Sequence, residues 1–131
     1  MKLFGIVCII AIVLILIGRG SGLAYEEVTP HELKEKMAKG STGLVLLDVR
    51  EVDEVASCKI PKSIHIPLAE VNARLKELEP EKEIVVYCAA GVRSARASKI
   101  LDNAGFKKVK NLKGGIRKWM AAGGSVEGPC R

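Results

Sequence analysis

The stretch Ile84-Val85-Val86-Tyr87-Cys88-Ala89-Ala90-Gly91-Val92-Arg93-Ser94 joins three local signals that together decide the fold. The apolar run Ile84 to Tyr87 reads as a strand buried on both sides. A small-residue loop follows it. From Ser94 to Ala104 the spacing is helical, with Ala97, Ile100, Leu101 and Ala104 on the face expected to be buried. A strand, a tight loop and a helix N-terminus would surround the cysteine sulfur with backbone N–H groups. Such a nest favours anions, and therefore thiolate over thiol. An ordinary cysteine titrates near about 8.5, and sites of this kind bring the value to roughly 3.5–7.5. Cys88 is the expected nucleophile, and Ala89, Ala90, Gly91, Val92 and Arg93 are the expected substrate-holding loop.

Working outward, Leu44-Val45-Leu46-Leu47 is a second buried-strand signal, ended by Asp48. Before it, Thr29 as N-cap, Pro30 at the first helical position and Glu32 closing a capping box predict a helix. Leu33 and Met37 share its inner face, and Gly40 stops it. A brief helix is expected over roughly 51–56 and a short strand at Ile64-His65-Ile66. Leu68, Val71, Leu75 and Leu78 then recur at helical spacing. A last strand lies around Val109, and Gly114-Gly115 opens a short helix ending near Trp119, expected as core packing. Strands alternating with helices predict an α/β fold, a mainly parallel central sheet flanked by helices on both faces. In such sheets functional loops lie at the carboxyl ends of strands, where Asp48 and Cys88 both fall.

The 131 residues suit one domain. Residues 3–17 are apolar apart from one glycine, Lys2 precedes them, and Gly22 and Ala24 suit a small-residue cleavage site. Fifteen helical residues span about 22 Å, short of the roughly 30 Å hydrocarbon core. Residues 1–24 are thus read as a signal peptide, with an N-terminal membrane anchor as the alternative. Residues 25–122 form the domain, and residues 123–131 a flexible tail. Either reading places the domain outside the cytoplasm, in a bacterial periplasm. Removing residues 1–24 takes away Lys2 and Arg19 and no acids, so the net charge falls from +6 to +4. With two Phe, two Tyr and one Trp there is no stacking platform, and nucleic-acid binding is not expected.

Three blocks resemble the single-domain rhodaneses, a sulfurtransferase family. They are Leu46-Leu47-Asp48-Val49-Arg50-Glu51; the loop Cys88 to Ser94, matching CxxGxRS; and Ala104-Gly105-Phe106 with Val109, Asn111-Leu112-Lys113-Gly114-Gly115-Ile116 and Trp119. They occur in the family's order over roughly residues 28–122. One block departs from the pattern. Where the family shows GHIPGA, this chain has Cys58-Lys59-Ile60-Pro61-Lys62-Ser63, lacking both glycines and the histidine. The local turn is left open there.

The resemblance implies a rhodanese-like fold and a double displacement. Cys88 thiolate takes the outer sulfur of thiosulfate or a persulfide, and the resulting Cys88 persulfide yields it to a thiophilic acceptor. It implies a small anionic donor. From the chain itself a monomer is expected, with no cofactor, no metal since no cysteines are spaced as CxxC, no nucleic acid, and a membrane only if residues 1–24 stay attached. Cysteine-dependent phosphatases place five residues between cysteine and arginine; here four separate Cys88 from Arg93, a smaller cradle. Arg93 is expected to bind the anion, with Ser94 and Arg96 supporting. Asp48 and Arg50 are expected to fix neighbouring loops. His31 and His65 lack the context of a catalytic base. Cys58 and Cys130 either form a structural disulfide, the pairing favoured here, or leave Cys130 to resolve Cys88. The competing functions are a non-catalytic binding or sensing module and a thiol-redox protein using Cys88 with Cys130.

Overall fold

The structure, a computed structural model, describes residues 25–40 and 42–130. The expected signal or anchor over 1–24 lies outside the described residues. In chain order the elements are β1 (Glu26–Val28), α1 (Pro30–Ala38), β2 (Leu44–Asp48), α2 (Val52–Ser57), β3 (Ile64–His65) and α3 (Leu68–Val71). A 3-10 helix (Asn72–Glu77), β4 (Glu83–Tyr87), α4 (Val92–Asn103), β5 (Lys108–Leu112) and α5 (Gly115–Ala121) complete the fold.

All five strands pair in parallel, in the order β1-β5-β4-β2-β3. The pleat explains the apolar runs. Ile84 and Val86 enter one core layer with Leu47, Ala97, Leu101 and Val71. Val85 and Tyr87 enter the other with Leu46, Leu33, Ile116 and Trp119. Helices α3 and α4 therefore cover one face of the sheet, and α1 and α5 the other, as the unbroken apolar strands require. The carboxyl ends of β2 and β4 lie side by side, with Asp48 in register with Tyr87. This sets the Asp48-Arg50 turn next to the Cys88 loop.

Local sequence shaped the elements as expected at several points. Thr29 Oγ1 accepts a hydrogen bond from Glu32 N at 3.2 Å, and Leu33 is buried beneath α1. Edge strand β1 was not foreseen, because three residues are too few to show a period. The Leu68–Leu78 spacing produces a single α-turn followed by a 3-10 segment broken at Arg74, not one continuous helix. The tighter winding still brings Leu75 and Leu78 to the core. Ala104, expected on the buried face of α4, is exposed, because the helix ends at Asn103 and Phe106 takes over the burial.

The C-terminal segment differs most from expectation. Residues 123–130 are held against the domain. Lys59 N donates to Glu127 O at 3.0 Å and Glu127 N returns to Lys59 O at 2.8 Å. Trp119 Nε1 donates to Ser125 O at 2.8 Å, and Val126 packs on the core. Cys130 forms a disulfide with Cys58, their Cα atoms 4.8 Å apart. Glycine and proline in this segment read locally as a loose tail; the disulfide to Cys58 is the favoured pairing of the sequence, but the backbone pairing with Lys59 and the Trp119 contact leave no local signal.

Candidate active site

Strand β4 delivers Cys88 to the sheet edge, and the chain reverses into α4 within a few residues. Gly91 makes that reversal possible with φ of 103°, a conformation costly to any residue with a Cβ. The reversal directs donors at the sulfur. Gly91 N lies 3.1 Å from Cys88 Sγ, Ser94 N 3.4 Å and Ser94 Oγ 3.3 Å. Burial opposes ionisation of this thiol. The hydrogen bonds from Ser94 Oγ and from the N–H groups of Ser94, Gly91 and Ala90 outweigh it, and the Cys88 pKa falls below its ordinary value. Ser94 is fully buried, and its carbonyl accepts from Ser98 Oγ at 2.8 Å.

The loop is braced from the opposite face. Ile116 N donates to Cys88 O at 2.9 Å and Arg117 N to Ala89 O at 3.2 Å. This contact requires glycine at 115, since a Cβ there would lie 2.5 Å from both carbonyl oxygens. Asn111 Nδ2 donates to Gly91 O at 3.2 Å and also reaches the Glu27 carboxylate, while its own Oδ1 is buried without a partner among the described residues. Asn111 fixes the peptide whose neighbour points at the sulfur. Sequence reading assigned it no role, and only its place in the third block pointed to it.

Arg93 is held by a residue the sequence reading passed over. Its Nη1 and Nη2 donate to Glu54 Oε1 and Oε2 at 2.6 and 2.9 Å. The Arg93 guanidinium holds the Glu54 carboxyl down to about 2, and Glu54 raises Arg93 in return. Glu54 Oε1 also accepts from Glu51 N at 3.1 Å, so the pair ties the first turn of α2 to that of α4. A partner 39 residues away leaves no local sequence signal. Arg96 is exposed further along α4, and Ala90 and Val92 are exposed at the loop's outer rim.

Asp48 and Arg50 form a buried network outside the sulfur cradle. Arg50 Nη2 and Nε donate to Asp48 Oδ2 and Oδ1 at 2.7 and 3.0 Å, and Arg50 N also donates to Oδ1. Arg50 Nη2 further donates to Cys58 O at 2.6 Å, stopping the end of α2. His65 Nε2 bonds Arg50 O at 2.7 Å, a local satisfaction of the ring. Tyr87 OH donates to Ser63 Oγ and accepts from Ile60 N, fastening the divergent block to β4. In that block Lys62 adopts φ of 66° at a position where the family pattern has glycine. The turn is therefore kept at the cost of a left-handed lysine.

Cys88 is the free cysteine among the described residues. Cys58 and Cys130 form the structural disulfide favoured from the sequence, so the alternative, Cys130 as a resolving thiol for Cys88, does not hold in this state. Among the described residues no three His, Cys, Asp or Glu side chains gather to hold a metal ion.

The chain matches the Rhodanese-like domain over residues 29–122. It is 39% identical over 94 residues to Bacillus subtilis YtwF, provisionally named a sulfurtransferase, covering 72% of this chain and 89% of the relative. It is 29% identical to the thiosulfate sulfurtransferase GlpE of Coxiella burnetii, covering 76% and 91%. The crystal structure of a rhodanese-related protein from Thermoplasma volcanium superposes with a TM-score of 0.71 at 34% identity, covering 79% of this chain and 98% of that one. With its parallel sheet, its cysteine loop and this match over most of its length, the chain belongs to the family of rhodanese-like domains.

Proposed function

We propose that the protein is a sulfurtransferase that carries a sulfane sulfur as a persulfide on Cys88. The observation that carries this reading is the set of three donor contacts to Cys88 Sγ, from Gly91 N, Ser94 N and Ser94 Oγ. They favour thiolate without a general base. In the first half-reaction the thiolate attacks the outer sulfur of thiosulfate or of a persulfide. A new S–S bond forms on Cys88, and sulfite or the donor thiolate leaves with the electron pair of the broken bond. In the second, a thiophilic acceptor attacks the outer sulfur and Cys88 departs as thiolate. Dividing the transfer replaces one difficult step with two easier ones. The name of the Coxiella relative supports thiosulfate as a donor.

The domain acts as a monomer on the outer side of the cytoplasmic membrane, delivered by residues 1–24. The Cys58–Cys130 disulfide supports an oxidising compartment. Mass spectrometry after thiosulfate treatment tests the chemistry. The expected result is a reducible gain of one sulfur atom, lost in Cys88→Ser, with thiocyanate formed from cyanide. Absence of both adduct and thiocyanate overturns the reading. N-terminal sequencing of exported protein tests the compartment; cleavage after Ala24 is the expected result, and intact cytosolic chain overturns it.

A further inference from the structure

Beside the Cys88 loop stands a group of cations that the chemistry at the sulfur does not use. Gly114 lies against the loop, since a Cβ on Gly91 would sit 3.4 Å from Gly114 N. The aliphatic stem of Lys118 covers Gly114 and leaves no room there for a side chain. Arg117 is anchored to the loop through its N–H on Ala89 O, and Lys113 follows directly on β5. Lys113, Arg117 and Lys118 are all exposed. One short stretch bonded to the active loop therefore presents three cations to solvent.

No salt bridge among the described residues offsets their charge. Glu54, close to the loop, is taken by Arg93. None of the three cations has an acidic partner among the described residues. Residues 1–24 contain no Asp or Glu that could supply one. Next to them an open groove of about 610 Å³ runs between the start of α1 and α5, lined by Pro30, Ala121 and Ala122 together with Lys113, Gly114 and Lys118. On the loop itself Val92 is 67% exposed. A face with apolar ground and unpaired cations suits a chain segment; a small anion at the sulfur needs only the loop N–H groups.

We propose that this face docks an acidic segment of a protein partner whose cysteine receives the sulfur. The inference rests on the persulfide reading of Cys88. The partner's thiolate attacks the outer sulfur of the Cys88 persulfide; its new S–S bond forms as the bond to Cys88 breaks, and Cys88 leaves as thiolate, with no net oxidation. Exposed charges act over about 8–10 Å at physiological salt, so carboxylates flanking the partner's cysteine are drawn to the mouth before contact.

The test uses the full chain loaded with sulfur from thiosulfate. Three acceptors are offered: a glutamate-rich peptide with one cysteine, a Ser/Gly peptide of equal length with one cysteine, and dithiothreitol. The acidic peptide is expected to react about tenfold faster than the neutral one at low salt, with the gap closing as salt rises. The double variant Lys113→Glu/Lys118→Glu is expected to abolish the preference while the dithiothreitol rate stays unchanged. Equal peptide rates in the wild type, or a variant that slows all three acceptors alike, overturns the docking face. Equal peptide rates together with variant-sensitive binding to phosphatidylglycerol vesicles assigns the face to a membrane and overturns a protein partner. Failure to load Cys88 at all is read separately, by mass, and defeats the persulfide chemistry beneath the proposal.

Discussion

Cys88 and Cys58 are both buried cysteines that close a regular element, yet their surroundings give them opposite fates. Cys88 follows a strand and turns into a glycine loop, so N–H groups and a serine hydroxyl converge on its sulfur. Cys58 caps α2 in an extended conformation, its carbonyl accepts from Arg50, and the chain beyond it pairs with residue 127. That pairing brings Cys130 within bonding reach. Donors directed at a sulfur prepare it to react, whereas a second chain segment alongside it prepares it to be tied. The difference lies in what the backbone does next, and burial alone decides neither.

The comparison can be broken most severely at Cys88. Replacing it with serine should lower sulfur uptake by at least about a thousandfold, as for loss of a nucleophile elsewhere, with the melting temperature nearly unchanged; a thiocyanate assay and calorimetry read the two effects. At the other sulfur the pattern should reverse. Cys130→Ser opens a link between residues 72 apart in sequence and should cost about 2–4 kcal/mol. The pH dependence of Cys88 alkylation should not move. A shifted alkylation curve would show that the two regions are coupled.

Ser94→Ala sharpens the account of the cradle by removing one donor and leaving the backbone N–H in place. The folded Cys88 pKa is depressed, so thiolate is present above it and lost as pH falls through it. Losing the hydroxyl should move that acid limb upward, lowering reactivity on its slope and changing little at high pH; iodoacetamide rates across pH measure it. Glu54→Gln should cost about 1 kcal/mol in urea unfolding near neutral pH, the scale of a partly exposed pair. Because the Glu54 carboxyl is held down to about 2 in the folded state, its contribution is present above about 4.5, the ordinary value, and fades as pH falls towards 2. The variant should therefore lose less stability over that acid range. Lys62→Gly, relieving a left-handed lysine, should stabilise by about 1 kcal/mol or less, a gain visible as a small rise in urea midpoint.

Much of this is legible in the amino-acid sequence. The four-residue apolar run into Cys88 and the small-residue loop after it are local signals, and local signals survive in sequence. So do Thr29 at a helix start and the buried strands on either side of the active edge. The helix expected over Leu68 to Leu78 was not recoverable in detail, because the same spacing of leucines serves an α-helix and the 3-10 segment found there. Ala104 was misplaced because a helix end depends on one or two residues.

The chain's own order of residues specifies the cysteine loop and the alternation of apolar strands with helices, since each depends on neighbours only a few positions apart; that alternation predicts the parallel sheet without naming which residues pair across it. Folding in three dimensions selected the partners that lie far along the chain: Glu54 for Arg93, Asn111 for Gly91, Cys130 for Cys58, and the cationic stretch 113–118 for the rim of the active loop. Side-chain pairings of that kind are set by how the elements pack, and no periodicity along the chain records them.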